Sequence, residues 1–209
     1  MKMQKQDYRR LIKTGLFFGS FNPIHNGHMA IAEYIREYTD LEQLWFVVSP
    51  QNPFKKKASL LEDHHRLELV HRAIGDDTRF RVSDIEFHMP KPSYTVDTLS
   101  YLSEKYPDRE FSIILGADNL KSFNKWKNCE ILVEKYKRYV YPRFGVCDDE
   151  MKKHKNVELV HAPRIEISSS FIREAIADGK TVKYFMPLPV FEYLDEMNFY
   201  KNKDLPEKI

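Results

Sequence analysis

Two histidines three residues apart, His25 and His28, stand in the stretch GSFNPIHNGH (residues 19–28), between an apolar run and the start of a helical period. Imidazoles at that spacing near a helix start can face one way and donate hydrogen bonds to one phosphate. Gly19 lets the backbone turn closely after a strand and Pro23 stiffens the loop. The free amides of such a turn and helix start favour an anion. Two other roles compete: a pair of satisfied structural histidines, or a zinc site. Zinc needs more than two ligands and neither HExxH nor CxxC occurs to supply them, so no protein metal site is expected.

Four further stretches carry residues able to do chemistry. In ISSSFIR (167–173), Ser168, Ser169 and Ser170 precede a helical period with Arg173 one turn in. Hydroxyls, helix amides and guanidinium together suit a phosphate, although a serine-capped helix with a surface arginine has the same look. SPQNPFKKK (49–57) ends in Lys55, Lys56 and Lys57, either a solvated run or a counter-charge for a reacting triphosphate. KPSYTVDTL (91–99) sets Ser93 and Tyr94 at a helix mouth, with Thr95 as candidate N-cap and free amides fit for a carboxylate. GADNLKSFNKWKN (116–128) brings Gly116, Asp118 and Trp126, whose ring can stack on a flat heterocycle or simply pack in a core.

GSFNPIHNGH resembles the (H/T)xGH signature of the nucleotidylyltransferase superfamily, and ISSSFIR resembles its ISSTxIR signature, with Ser170 where threonine is common. The resemblance implies that His28 contacts the α-phosphate of ATP with His25 assisting. Gly19, Ser20 and Phe21 would line the ATP site, and Ser168, Ser169, Ser170 and Arg173 would hold the β- and γ-phosphates. SPQNPFKKK is similar to the superfamily's PxxxPPHK segment, whose lysine aligns with Lys57. Asn52, Pro53 and Phe54 replace the middle of that segment, so Lys55 or Lys56 remains an alternative.

SYTVDTL and GADNLKSFNKW resemble SYTxxTL and GxDxLxxxxxW of bacterial nicotinate-nucleotide adenylyltransferases. By that resemblance the Thr95 amide meets the nicotinate carboxylate, Trp126 stacks on the pyridine ring, and Gly116 and Asp118 lie by the ATP ribose. Asn22, Lys57, Ser93, Tyr94 and Lys127 complete the mononucleotide set. Lys127 stands where many members have tyrosine, and the contact there is attributed to the backbone. The ending VKYFMPLPVFEYLDEMNFY is also similar, so the resemblance runs from about Thr14 to Tyr200.

The implied reaction transfers the adenylyl group of ATP to nicotinate mononucleotide for NAD biosynthesis. His28, His25, Lys57 and Arg173 would be the catalytic set, and magnesium would arrive with the ATP. The rivals are an enzyme adenylating nicotinamide mononucleotide or phosphopantetheine, and a non-catalytic nucleotide- or RNA-binding module.

Elements must position these residues. TGLFF, LWFVVS, FSIILG, RYVYP and VELVH read as strands, nearly continuous in apolarity and so buried on both faces. Between them run helical faces: Met29, Ala32, Ile35 and Tyr38; Leu67, Val70 and Ile74 ahead of Gly75; Val96, Leu99 and Leu102. Strand–helix alternation predicts an α/β fold, a parallel sheet with helices on both faces and ligands beyond the strands' carboxyl ends, and the resemblance implies that the sheet is Rossmann-like and doubly wound. A length of 209 residues without a linker fits one domain, its core spanning about 14–200.

Lys+Arg 33 against Asp+Glu 31 gives net charge +2, too balanced for a chain that coats nucleic acid. The start lacks a signal peptide's apolar region and no run spans a membrane, while Cys129 and Cys147 lack ligand spacing. A cytoplasmic location with reduced thiols is the expectation, and a homo-oligomer is left open.

Overall fold

The apolar runs do become strands, and consecutive residues along them pack on opposite sides of one sheet. The computed structural model describes residues 10–50, 60–120, 122–143 and 155–202. Along these lie β1 (Ile12–Gly19), α1 (Asn26–Tyr38), β2 (Gln43–Val48), α2 (Asp63–Ile74), β3 (Phe80–Ser83) and α3 (Thr95–Lys105). They are followed by β4 (Arg109–Gly116), α4 (Ala117–Leu120), α5 (Cys129–Lys135), β5 (Arg138–Tyr141), β6 (Val157–Leu159), α6 (Ser169–Ala177) and α7 (Leu188–Glu196).

The six strands are all parallel in the order β3-β2-β1-β4-β5-β6. That is the doubly wound order, in which the connections leave the sheet centre in opposite directions. The crevice so created opens between the ends of β1 and β4, at Gly19 and Gly116.

Phe17, Phe46, Val48 and Ile114 face α1, α2, α6 and α7, meeting Ile31, Ile35, Leu69, Val70, Ile172 and Val190. Their neighbours Leu16, Trp45, Val47 and Ile113 face the other way, onto Val96, Leu99 and Leu102 of α3 and Leu132 of α5. With a side-chain period of two, burial on both faces is what makes these strands read as unbroken apolar runs.

Three details differ from the sequence reading. β3 was not anticipated: FRVS has four residues at the sheet edge, with Phe80 and Val82 buried and Arg81 laid over Trp45 at 4.4 Å. Tyr38 does not join the buried face of α1; it is 72% exposed, and Ile31 takes the place because the true stripe is Ile31, Ala32 and Ile35. Thr95 is the first helical residue of α3 and Tyr94 is the cap, without a side-chain hydrogen bond. Gly75 does end α2, with φ 54° and its amide on the His71 carbonyl at 3.0 Å. Among the described residues no helix is long and apolar enough to cross a membrane.

Candidate active site

β1 delivers the chain to Gly19, where a close approach excludes any side chain: a Cβ there would stand 2.8 Å from Cζ of Phe21. Phe21 itself takes φ 43°, an uncommon left-handed conformation for an aromatic residue, and turns its ring inward to 2% exposure. Its side chain therefore forms the floor beneath His28, edge to face at 5.2 Å between ring centroids.

His25 caps α1 and its ring stacks on that of His28 at 3.7 Å. The His25 amide donates to Nδ1 of His28 at 3.3 Å. An imidazole whose Nδ1 accepts carries its proton on Nε2 when neutral, which sets His28 as a donor through Nε2. His25 is 4% exposed, and its pKa falls to about 4 because burial disfavours the cation and the nearby Arg143 repels it. At pH 7 it is neutral, so it supports His28 by stacking without adding charge. Gly27 permits this: a Cβ there would lie 3.0 Å from Nδ1 of His25.

The serine–arginine helix start docks directly on this loop. Ser168 caps α6, accepting the Phe171 amide at 3.1 Å. Oγ of Ser169 donates to the Pro23 carbonyl at 2.9 Å, joining segments 146 residues apart. Arg173 donates to the Asn22 carbonyl at 2.8 Å and to Oγ of Ser170 at 3.2 Å. Ser168 and Ser170 are exposed.

Asn22, expected at the acceptor, is 4% exposed, and its Oδ1 accepts from the Leu61 amide at 3.1 Å and the Tyr200 hydroxyl at 2.5 Å. That oxygen thus fastens the C-terminal end and the entry to α2 onto the histidine loop. Lys55, Lys56 and Lys57 lie outside the described residues.

At the switch point a cavity of about 270 Å³ opens. Gly19 and Ser20 line it from the β1 loop, Gly116 from β4, and Ser93, Tyr94 and Thr95 from the mouth of α3. Trp126 and Lys127 complete its wall, Trp126 half-buried with its ring 4.9 Å from Phe123. Trp126 thus packs against the core and lines the cavity at once. Nζ of Lys127 sits 2.9 Å from Oδ2 of Asp97 and 4.6 Å from the Tyr94 ring centre, bridging the tryptophan turn to α3. Asp118 is exposed beside β4's end, 3.9 Å from Nε of Arg143, and a Cβ on Gly116 would collide with its carboxylate.

Three charged residues were missed by sequence reasoning. Arg143 stands just beyond β5 at the carboxyl edge and donates to the Tyr141 hydroxyl at 3.3 Å; its position after RYVYP was the available signal. Arg66 shares the buried face of α2 with Leu69 and Val70 and is 0% exposed. It donates to the carbonyls of Ser20 (2.8 Å), Ser49 (2.7 Å), Leu61 (3.0 Å) and Pro50 (3.2 Å) and pairs with Asp63 at 2.5 Å. A guanidinium on an otherwise apolar helix stripe was the clue. Glu86, 3% exposed, lines the cavity and accepts from Oγ1 of Thr98 at 2.9 Å. Outside the cavity lining, Glu62, His64 and His65 bring possible ligand atoms within 4.8 Å of one another, with Glu62 and His64 exposed.

The cytidylyltransferase-like family profile matches residues 16–175. A protein of Christiangramia forsetii named "Probable nicotinate-nucleotide adenylyltransferase" is 53% identical over 191 residues, covering 90% of this chain and 98% of that protein. One of Bacteroides fragilis with the same name is 50% identical over 180 residues, covering 86% and 90%. Among solved structures, the Plasmodium falciparum nicotinic acid mononucleotide adenylyltransferase complexed with NaAD superposes with a TM-score of 0.77 at 23% identity, covering 90% of this chain and 97% of that one. With this fold, a family profile matching most of the chain and relatives half identical along most of their length, the chain belongs to the cytidylyltransferase-like family and, within it, to the nicotinate-nucleotide adenylyltransferases.

Proposed function

We propose that this enzyme transfers the adenylyl group of ATP to nicotinate mononucleotide, giving nicotinate adenine dinucleotide and pyrophosphate. One juxtaposition carries the reading: the loop that carries His28 is bonded by Ser169 and Arg173 at its Pro23 and Asn22 carbonyls, and its Gly19 and Ser20 line a cavity walled by Trp126 and the mouth of α3.

The acceptor's phosphate monoester has a second pKa near 6, so at pH 7 it is largely a dianion and needs no general base. One of its oxygens forms the new bond to the α-phosphorus while the bond to the bridging oxygen breaks, and pyrophosphate leaves with the electron pair. The enzyme's task is to align two polyanions and neutralise charge moving onto the leaving group. In this reading Nε2 of His28 donates to the α-phosphate, and Ser170, the α6 amides and Arg173 hold the leaving phosphates. Arg143 adds a cation at the nucleotide edge, and Asp118 and Gly116 flank the ribose. Trp126 and the amides of Thr95 and Lys127 take the pyridine ring and its carboxylate.

The donor set fits a magnesium ion that arrives on the ATP phosphates. Such an ion would be held mainly by the phosphate oxygens and would neutralise phosphate charge there. A cytoplasmic location belongs to the same proposal and rests on the free Cys129 and the pathway's soluble substrates.

The test is pyrophosphate release from ATP with nicotinate mononucleotide, nicotinamide mononucleotide and phosphopantetheine offered side by side. Fastest turnover with nicotinate mononucleotide is expected. Preference for either other acceptor overturns the substrate assignment, and ATP binding without release for all three overturns the reaction.

A further inference from the structure

Glu86 is the only buried carboxylate among the described residues, and none of the phosphate chemistry above uses it. It sits in the short helical turn Ile85–His88 and reaches the cavity. Oγ1 of Thr98 in α3 donates to it at 2.9 Å, and the hydroxyl residues Ser93, just before α3, and Ser49, just after β2, line the same cavity beside it. Burial alone pushes its pKa up, and these three donors oppose that shift. The net direction is upward, and the two carboxyl oxygens have room to accept from Thr98 and still face Ser93 and Ser49.

The placement of those hydroxyls gives the cluster its meaning. Ser93 and Thr98 flank Tyr94 and Thr95, which line the cavity at the mouth of α3 and to which the adenylyl-transfer reading assigns the acceptor. Ser49 is itself fixed at its carbonyl by the buried Arg66, and its amide donates to the Gly19 carbonyl at 2.9 Å. Partly buried polar groups therefore run from the histidine loop through Ser49 to Glu86 and Thr98.

We propose that Glu86 is a positioning residue for acceptor recognition, its carboxylate holding the Ser93–Thr98 segment against the Ser49 loop so that the α3 mouth meets the nicotinate end of the acceptor. The proposal rests on the adenylyl-transfer reading. It assigns Glu86 no contact with ATP, so its removal acts on one substrate. Without the carboxylate, Thr98 loses its shortest hydrogen bond and Ser93 and Ser49 the acceptor beside them, so the wall is free to shift, and small misplacements of binding groups are costly.

The test is steady-state kinetics of Glu86→Ala, Glu86→Gln and Thr98→Val, with ATP and mononucleotide varied separately. Glu86→Ala is expected to raise the mononucleotide KM about tenfold and the ATP KM less than about twofold. Glu86→Gln is expected to recover most of the loss, because its amide oxygen still accepts while a hydroxyl rotates to accept from its NH2. Equal rises in both KM values, no rise in soluble Glu86→Ala, or no recovery in Glu86→Gln each overturn the proposal. Should Glu86→Ala fail to fold, Thr98→Val decides: it removes one donor at nearly constant volume, and an unchanged mononucleotide KM there is equally fatal. Wild-type enzyme run beside them separates the two levels. If it rejects nicotinate mononucleotide, the substrate reading fails, and the same variants are then compared on whichever acceptor it does use.

Discussion

Acidification should weaken the fold through His25 in particular, by an amount that follows from its burial. Its ring is 4% exposed, stacked on His28 and close to Arg143, and its pKa drops from 6.5 to about 4 on folding. The unfolded chain therefore binds the proton more readily, and stability rises with pH across that window. The contribution is complete above 6.5 and is lost as pH falls through 4. Between pH 7.5 and pH 5.0 linkage gives a loss of about 2 kcal/mol from this one group. For a chain of this size that corresponds to a fall in Tm of about 4–8 °C.

Urea unfolding followed by far-UV circular dichroism at the two pH values, in wild type and His25→Asn, isolates the effect. Other groups that titrate nearby, His65 and Glu86 among them, are common to both proteins and cancel in the difference. The loss between pH 7.5 and 5.0 should be smaller in His25→Asn by about 2 kcal/mol, whatever the variant's absolute stability. Equal pH dependence in the two proteins would refute the claim that His25 is buried as a neutral ring.

Three other outcomes are expected. His28→Ala should lower kcat about 10²- to 10³-fold, the usual cost of one preorganised donor, with Tm changed little because the ring is only half-buried; near-wild-type turnover would remove His28 from the chemistry. Trp126→Ala should raise the mononucleotide KM and leave the ATP KM nearly unchanged, and the reverse pattern in separate substrate titrations would cancel the stacking role. Arg66→Met should destabilise by about 3 kcal/mol in thermal unfolding, because it leaves one buried and three partly buried carbonyls and Asp63 without their shared donor; a Tm within a degree or two of wild type would mean that water replaces the guanidinium at no cost.

Much of the architecture was legible in the chain. Runs such as LWFVVS and FSIILG announce strands covered on both sides, because alternate side chains meet two different apolar layers. Val96, Leu99 and Leu102 carry the helical period of α3 without ambiguity, and Gly75 marks the end of α2. The glycine-bearing histidine loop, the serine–arginine helix start and the tryptophan turn were recognisable because each is a local string whose backbone and donors lie close in sequence. β3 escaped notice since four residues on an edge carry too short a period to stand out.

What the chain alone did not reveal is which separated residues meet. The order of the strands puts β1 beside β4, and only that adjacency brings Gly19 and Gly116 to one crevice. Ser169 reaches Pro23 and Arg173 reaches Asn22 across more than half the sequence. His25 and His28 look equivalent as letters, yet packing buries one as a neutral ring and leaves the other half-open as a donor. Glu86, Arg66 and Arg143 carry no local signature strong enough to assign a role, because the meaning of a charge lies in its distant partners. Periodicity reports that a face is apolar and a motif reports that donors are near one another; what each face or donor meets is decided by long-range packing, which only the folded structure contains.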